Sequence, residues 1–298
     1  MRRALASWLI ALALAAPATA SAWCRMTTSG RQPSPGAPCV LPDPTADPPE
    51  RFLEWLRPCT GIALSVEATS QDLSDAEVRA ILGRSIATWE AVECDGTPVG
   101  VDISILDEDS VCVAPFYRDD GGNVNAIMFV DDWAERGNDP AAFALTTVWH
   151  RRSTGEILDA DMEVNEQRGP YGVCPDAGCV DRRTVDLENV FTHELGHYLG
   201  LAHSTEAEAT MFASAVAGET LKRDLAADDV EGLCAAYPPG TPTGECDPTP
   251  RGGLVLDCEP GGCSVSALGA RPGSPGLPLA ALPFAALLFA TLGLRRRW

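Results

Sequence analysis

The stretch FTHELGHYLGLAHS, Phe191 to Ser204, constrains this chain more tightly than any other. It holds three of the four histidines, His193, His197 and His203, and places Glu194 directly after the first. Residues four apart on an α-helix share one face about a turn from each other, so a helix here aims His193 and His197 at a single point. One zinc ion satisfies both, because neutral imidazole binds zinc at roughly 2.0 to 2.1 Å and a catalytic site takes three protein ligands while leaving a position for water. Gly200 can adopt the left-handed conformation that ends a helix, which turns the chain back and delivers His203 as the third ligand. Glu194 then lies near the metal yet is poorly placed to ligate it. That is where a general base belongs, taking the proton of an activated water and passing it to a departing amine. A lone histidine on a helix is more often structural; the fixed spacing of three, with the glycine, sets this stretch apart.

The neighbouring sequence supports the helix independently. In DLENVFTHELGHYLGL, Asp186 is a good N-cap, Gly200 a good stop, and Leu187, Val190, Phe191, Leu195 and Tyr198 form an apolar face. Upstream, SDAEVRAILGRSIATWEAV carries a capping box at Ser74 and Glu77, with Val78, Ile81, Leu82, Ile86 and Trp89 at helical spacing. Ile62 to Val66, Val101 to Leu106 and Ala126 to Val130 read as strands, the last as a buried one. ALTTVW and EILDADMEVN flank the turn RRSTGE as a hairpin. In its second arm Asp159, Asp161 and Glu163 alternate with apolar residues. This acidic face could bind Ca2+, but a solvated face is the expectation. Leu225 to Tyr237 reads as the last helix.

The ends differ in character. Residues 1–22 combine two arginines, an apolar run and small residues at Ala20 and Ala22, the pattern of a signal peptide cut near Ala22. Trp23 before Cys24 suits lipoprotein processing poorly. Residues 23–54 are proline-rich and read as an irregular leader, residues 240–262 as a linker, and residues 263–298 as an apolar and then basic tail that would contact a membrane before processing. Export to an oxidising compartment gives the eleven cysteines a use as disulfides. Cys24 with Cys39, Cys174 with Cys179 and Cys246 with Cys258 offer local pairs, but the connectivity is not fixed by sequence. The odd count leaves one over, and Cys263 stands apart. With 42 acidic against 22 basic residues, a net charge of −20 argues against nucleic acid as a partner.

HELGHYLGLAH matches the H-E-x-x-H-x-x-G-x-x-H signature of metzincins, and EATMFAS, with Met211 eight residues after His203, resembles their methionine turn. That spacing, with LAADDVEGLCAAYP, is similar to the end of matrixin catalytic domains. The similarity covers residues 55–239. It implies an α+β metzincin fold, a twisted five-stranded mixed sheet with three helices. It further implies zinc at His193, His197 and His203, Glu194 as catalytic base, and a monomer that cleaves protein or peptide paired along an edge strand near Ala144 to Trp149. Two family features are missing. His150 alone is too little for a second, structural zinc, and the P-R-C-G-x-P-D latency segment is absent. A Cys24 or Cys39 thiolate on the zinc is the alternative latch, with disulfide pairing the simpler fate. The tail, with GGCS around Cys263, resembles the MYXO-CTERM sorting signals of myxobacteria. It implies display at, or release from, the surface of a Gram-negative cell. The rival reading is a zinc-stabilised binding or adhesion domain that does not cut.

Overall fold

The computed structural model describes residues 22–31, 37–57, 59–239 and 246–258. The signal-peptide stretch up to Ser21, and the tail with Cys263, lie outside the described residues. Five strands build the main sheet: β2 (Cys59–Leu64), β3 (Asp102–Ile105), β4 (Asn125–Val130), β5 (Ala144–His150) and β6 (Ile157–Asn165). They are ordered β3-β2-β4-β6-β5. All neighbours run parallel except β5, which lies antiparallel to β6 at the edge. β5 is thus an edge strand, as expected of the stretch near Ala144 to Trp149. A short β1 (Cys24–Arg25) pairs away from this sheet with β7 (Leu201–Ala202).

Helix α1 (Asp75–Glu90) starts where its capping box dictates: Ser74 Oγ accepts from Glu77 N and the Glu77 carboxylate accepts from Ser74 N. Its buried stripe of Val78, Ile81, Leu82, Ile86 and Trp89 packs with α2 (Leu187–Tyr198) in the larger core, on one face of the sheet. Helix α3 (Ala227–Ala236) completes that layer. Central strand β4 is buried along its whole length, because both faces of the sheet are covered. The second face carries a smaller core of Ala63, Val124, Ala126, Met128, Val130 and Trp133.

That second cover overturns three expectations. The acidic face of β6 is not solvated: Asp159 and Asp161 are 0 % exposed and Glu163 4 %. Alternation reports that a face is polar, not what lies over it. Here Asp161 accepts hydrogen bonds from Phe116 N and Ala126 N, each at 2.8 Å, and Glu163 pairs with Arg136 at 2.6 Å. The stretch read as a linker is in its described part a strap. Residues 246–258 are bound by Cys59–Cys246 and Cys112–Cys258, so the local Cys246 to Cys258 pair does not form. The strap also exchanges main-chain hydrogen bonds with Asn123 and Val111 and lays Leu254 and Leu256 on the smaller core. Its proline and glycine content bars regular structure without barring docking.

The leader, likewise, is part of the domain. Cys24–Cys39 forms, as does Cys174–Cys179, while Cys94–Cys234 ties the end of α1 to α3. Met26 N donates to Gly200 O and Leu53 N to Met26 O, so both ends of the leader are stitched beside the turn that follows α2. With both thiols oxidised, neither Cys24 nor Cys39 is a free thiolate for a metal.

Candidate metal centre

Helix α2 begins at Asp186, whose carboxylate accepts from Asn189 N and Cys174 N, each at 2.8 Å. From this cap the helix runs through His193 and His197 and stops at Gly200, which adopts φ +87°. A side chain there would meet strain, and its Cβ would also stand 2.6 Å from Leu53 O. Glycine therefore lets the chain reverse and lets the leader pack against the reversal. The returning strand β7 then brings His203 to its partners.

The three ligand-capable groups of His193, His197 and His203 all lie within 4.8 Å of one another. His197 Nε2 and His203 Nε2 are 3.2 Å apart. Two ligands of a tetrahedral zinc, at about 2.0–2.1 Å each, would be roughly 3.4 Å apart, so the spacing suits one small ion. The tautomers point the same way. His193 Nδ1 lies 2.6 Å from Thr210 O and His197 Nδ1 2.9 Å from Leu201 O. A carbonyl oxygen only accepts, so both Nδ1 atoms carry the proton and both Nε2 lone pairs are left for a metal. Burial, and then the neighbouring imidazoles, hold His193 well below the usual histidine range; burial and His197 lower His203 to about 3. The neutral form, which is the ligating form, is favoured in each. Among the described residues these histidines are the group of three that converges so closely. The carboxylates of β6 form no such cluster.

Met211 packs against α2 at Gly196, between the two helical histidines in sequence. Its amide and that of Thr210 are both held by the buried Asp229 carboxylate of α3, at 2.9 and 2.7 Å, and its carbonyl accepts from Ser204 N. Since Thr210 O receives His193 Nδ1, Asp229 anchors the loop that orients this imidazole. Gly196 completes the fit: a Cβ at that position would sit 2.1 Å from Met211 Sδ. Glu194 is 6 % exposed, and burial pushes its carboxyl up despite the opposing influence of His197. Its Oε2 accepts from Thr146 Oγ1 of β5 at 2.7 Å.

Sequence reasoning brought the histidines, Glu194 and Met211 to this one place, but it missed Asp229, Gly196 and Thr146. The first two lie inside segments already singled out, LAADDVEG and HELGH, and could have been sought there. Nothing in β5 alone marks Thr146.

Comparison with known proteins gives one family. The matrixin profile, Peptidase_M10, matches residues 54–238. The chain is 26 % identical over 180 residues to interstitial collagenase of Oryctolagus cuniculus, covering 60 % of this chain and 32 % of that protein. It is 49 % identical over 61 residues to the metalloendoproteinase 5-MMP of Arabidopsis thaliana, or 20 % of this chain and 16 % of the relative. To stromelysin-1 of Mus musculus it is 42 % identical over 81 residues, 26 % and 17 % of the two chains. The matched part thus spans a third or less of each of these relatives.

Proposed function

This chain belongs to the matrixin family of peptidases, and from that premise we propose that it is an exported zinc-dependent endopeptidase with Glu194 as its general base. His193, His197 and His203 would hold the ion through Nε2, the nitrogen that the Thr210 and Leu201 carbonyls leave free on the first two. Bound zinc supplies a water with its pKa lowered to about 7 and a Lewis acid for the scissile carbonyl. Glu194 accepts a proton from the attacking water at one carboxylate oxygen and returns it to the leaving nitrogen. Its burial favours the proton-bearing form between those steps. Edge strand β5 offers unpaired peptide groups to an extended substrate, which fixes the bond to be cut near the trio.

The observation that carries this reading is a buried carboxylate directly beside three converging imidazoles. A zinc that merely stabilises a binding or adhesion domain gives that carboxylate no task. Ten of the eleven cysteines are paired in five bridges, which supports export to an oxidising compartment. Surface display or release through the tail belongs to the same proposal. The test is to profile a peptide library with the purified, bridge-intact protein, with and without chelator. Cleavage that stops on chelation and returns with zinc is expected, while cleavage indifferent to chelator overturns the proposal.

A further inference from the structure

Thr146 is placed by the strand and not by the motif. It is the third residue of β5 and points, with Ala144 and Val148, to the side covered by α2, where it is 7 % exposed. Its Oγ1 lies 2.7 Å from Glu194 Oε2 and 3.3 Å from the Glu194 main-chain oxygen. A hydroxyl has one proton to give, and the shorter contact, to the carboxylate oxygen, takes it. The Thr146 main chain also donates to this carboxylate, so β5 holds it through two groups of one residue, of which the hydroxyl is the one that a substitution removes. Thr146 is β-branched and its χ1 is stiff, so the position of Oγ1 is fixed by the strand.

We infer that Thr146 is a positioning residue for the reaction: its hydroxyl holds Glu194 Oε2 and so leaves Oε1 as the oxygen that takes the water's proton. The inference rests on the reading of Glu194 as the base and adds what orients it. A carboxylate free to rotate about its last torsion would present either oxygen at varying angles, because that torsion has broad minima. Held by Oε2, it keeps one oxygen for the water's proton throughout. The same strand is the one an extended substrate would pair with, so the docking strand and the base share one rigid connection.

Thr146→Val keeps the shape and removes the donor, and Thr146→Ser keeps the donor. Thr146→Val is expected to lower kcat by about ten- to a hundredfold, with KM within about twofold of the parent and with zinc content and melting temperature unchanged. Thr146→Ser should return kcat to near the parent value. A Val variant as fast as the parent, a loss carried by KM alone, or equal losses in Val and Ser would each overturn the inference. If the loss of the buried hydroxyl keeps the Val variant from folding, Thr146→Ala takes its place under the same criteria. Glu194→Gln separates the two claims. An active Glu194→Gln enzyme sinks the base reading itself, whereas an inactive one beside a fully active Thr146→Val sinks only the role of Thr146.

Discussion

His193 and His197 each commit Nδ1 to a main-chain carbonyl, so a single helical turn fixes both their position and their protonation. Glu194, one residue on, is held by a group from another element and stays out of that ligand set. Glu194→Ala should therefore retain zinc, measured by elemental analysis, and lose peptide hydrolysis by orders of magnitude; a variant that cuts at the parent rate has another base. Gly196 is the residue-scale surprise. Its lack of a side chain lets Met211 Sδ occupy the space where a Cβ would stand, with Trp89 also only 3.0 Å from that point. Gly196→Ala should cost about 1–3 kcal/mol in chemical denaturation, as overpacking of a tight core does, although alanine is the better helix former. A stabilised variant would mean that Met211 moves aside freely. The histidine spacing was legible because one local geometry, the helical turn, decides it. Thr146 and Asp229 act from other elements, across long stretches of chain, and no local pattern carries such a contact.

At the scale of elements, the helices were legible to within about two residues because their caps and stripes are local. Strand β6 was not. Its alternation of Ala160, Met162 and Val164 with Asp159, Asp161 and Glu163 is correct as a pattern, but a polar face beneath a second layer and one beneath water look alike in sequence. Burial changes the chemistry of that face. It raises Asp161 from the ordinary 3.8 to about 8, and burial with the charge of Asp161 raises Asp159 well above its usual value. Both Asp159 oxygens are buried without a hydrogen-bond partner among the described residues, which costs far less for a carboxyl that keeps its proton than for an ionised one. The native state then holds protons that the unfolded chain releases above about pH 4. Stability from this pair is present at low pH and is lost as pH rises toward about 8. Asp159→Asn removes one of these groups, so the variant should lose less stability than the parent between about pH 5 and 8 in matched urea titrations. Histidine contributions cancel in that comparison. Equal slopes would show that Asp159 ionises without penalty.

The whole molecule is closed by its C-terminal strap. Cys59–Cys246 and Cys112–Cys258 join positions 187 and 146 residues apart, so their pairing could not be read from neighbouring cysteines. Composition reads residues 240–262, and so the strap at 246–258 within them, as a linker because proline and glycine forbid a helix or strand. What decides their fate is long-range: two thiols waiting on the sheet side and an apolar face that Leu254 and Leu256 cover. The strap lies over the smaller core, whereas α2, which carries His193 and His197, packs in the larger one on the opposite face. Stability and chemistry should therefore separate. Replacing Cys112 and Cys258 together by serine should lower the unfolding free energy by about 2–4 kcal/mol, the usual cost of losing a long-range bridge. The full chain-entropy value for so long a loop is not expected, because Cys59–Cys246 already shortens it. At a temperature where the variant is still folded, kcat on a peptide substrate should match the parent, since no strap residue is among those that hold the histidines or Glu194. A variant that melts early yet cuts normally fits this division. One that keeps its melting temperature and loses kcat would place the strap in the service of the cleft and not of the fold.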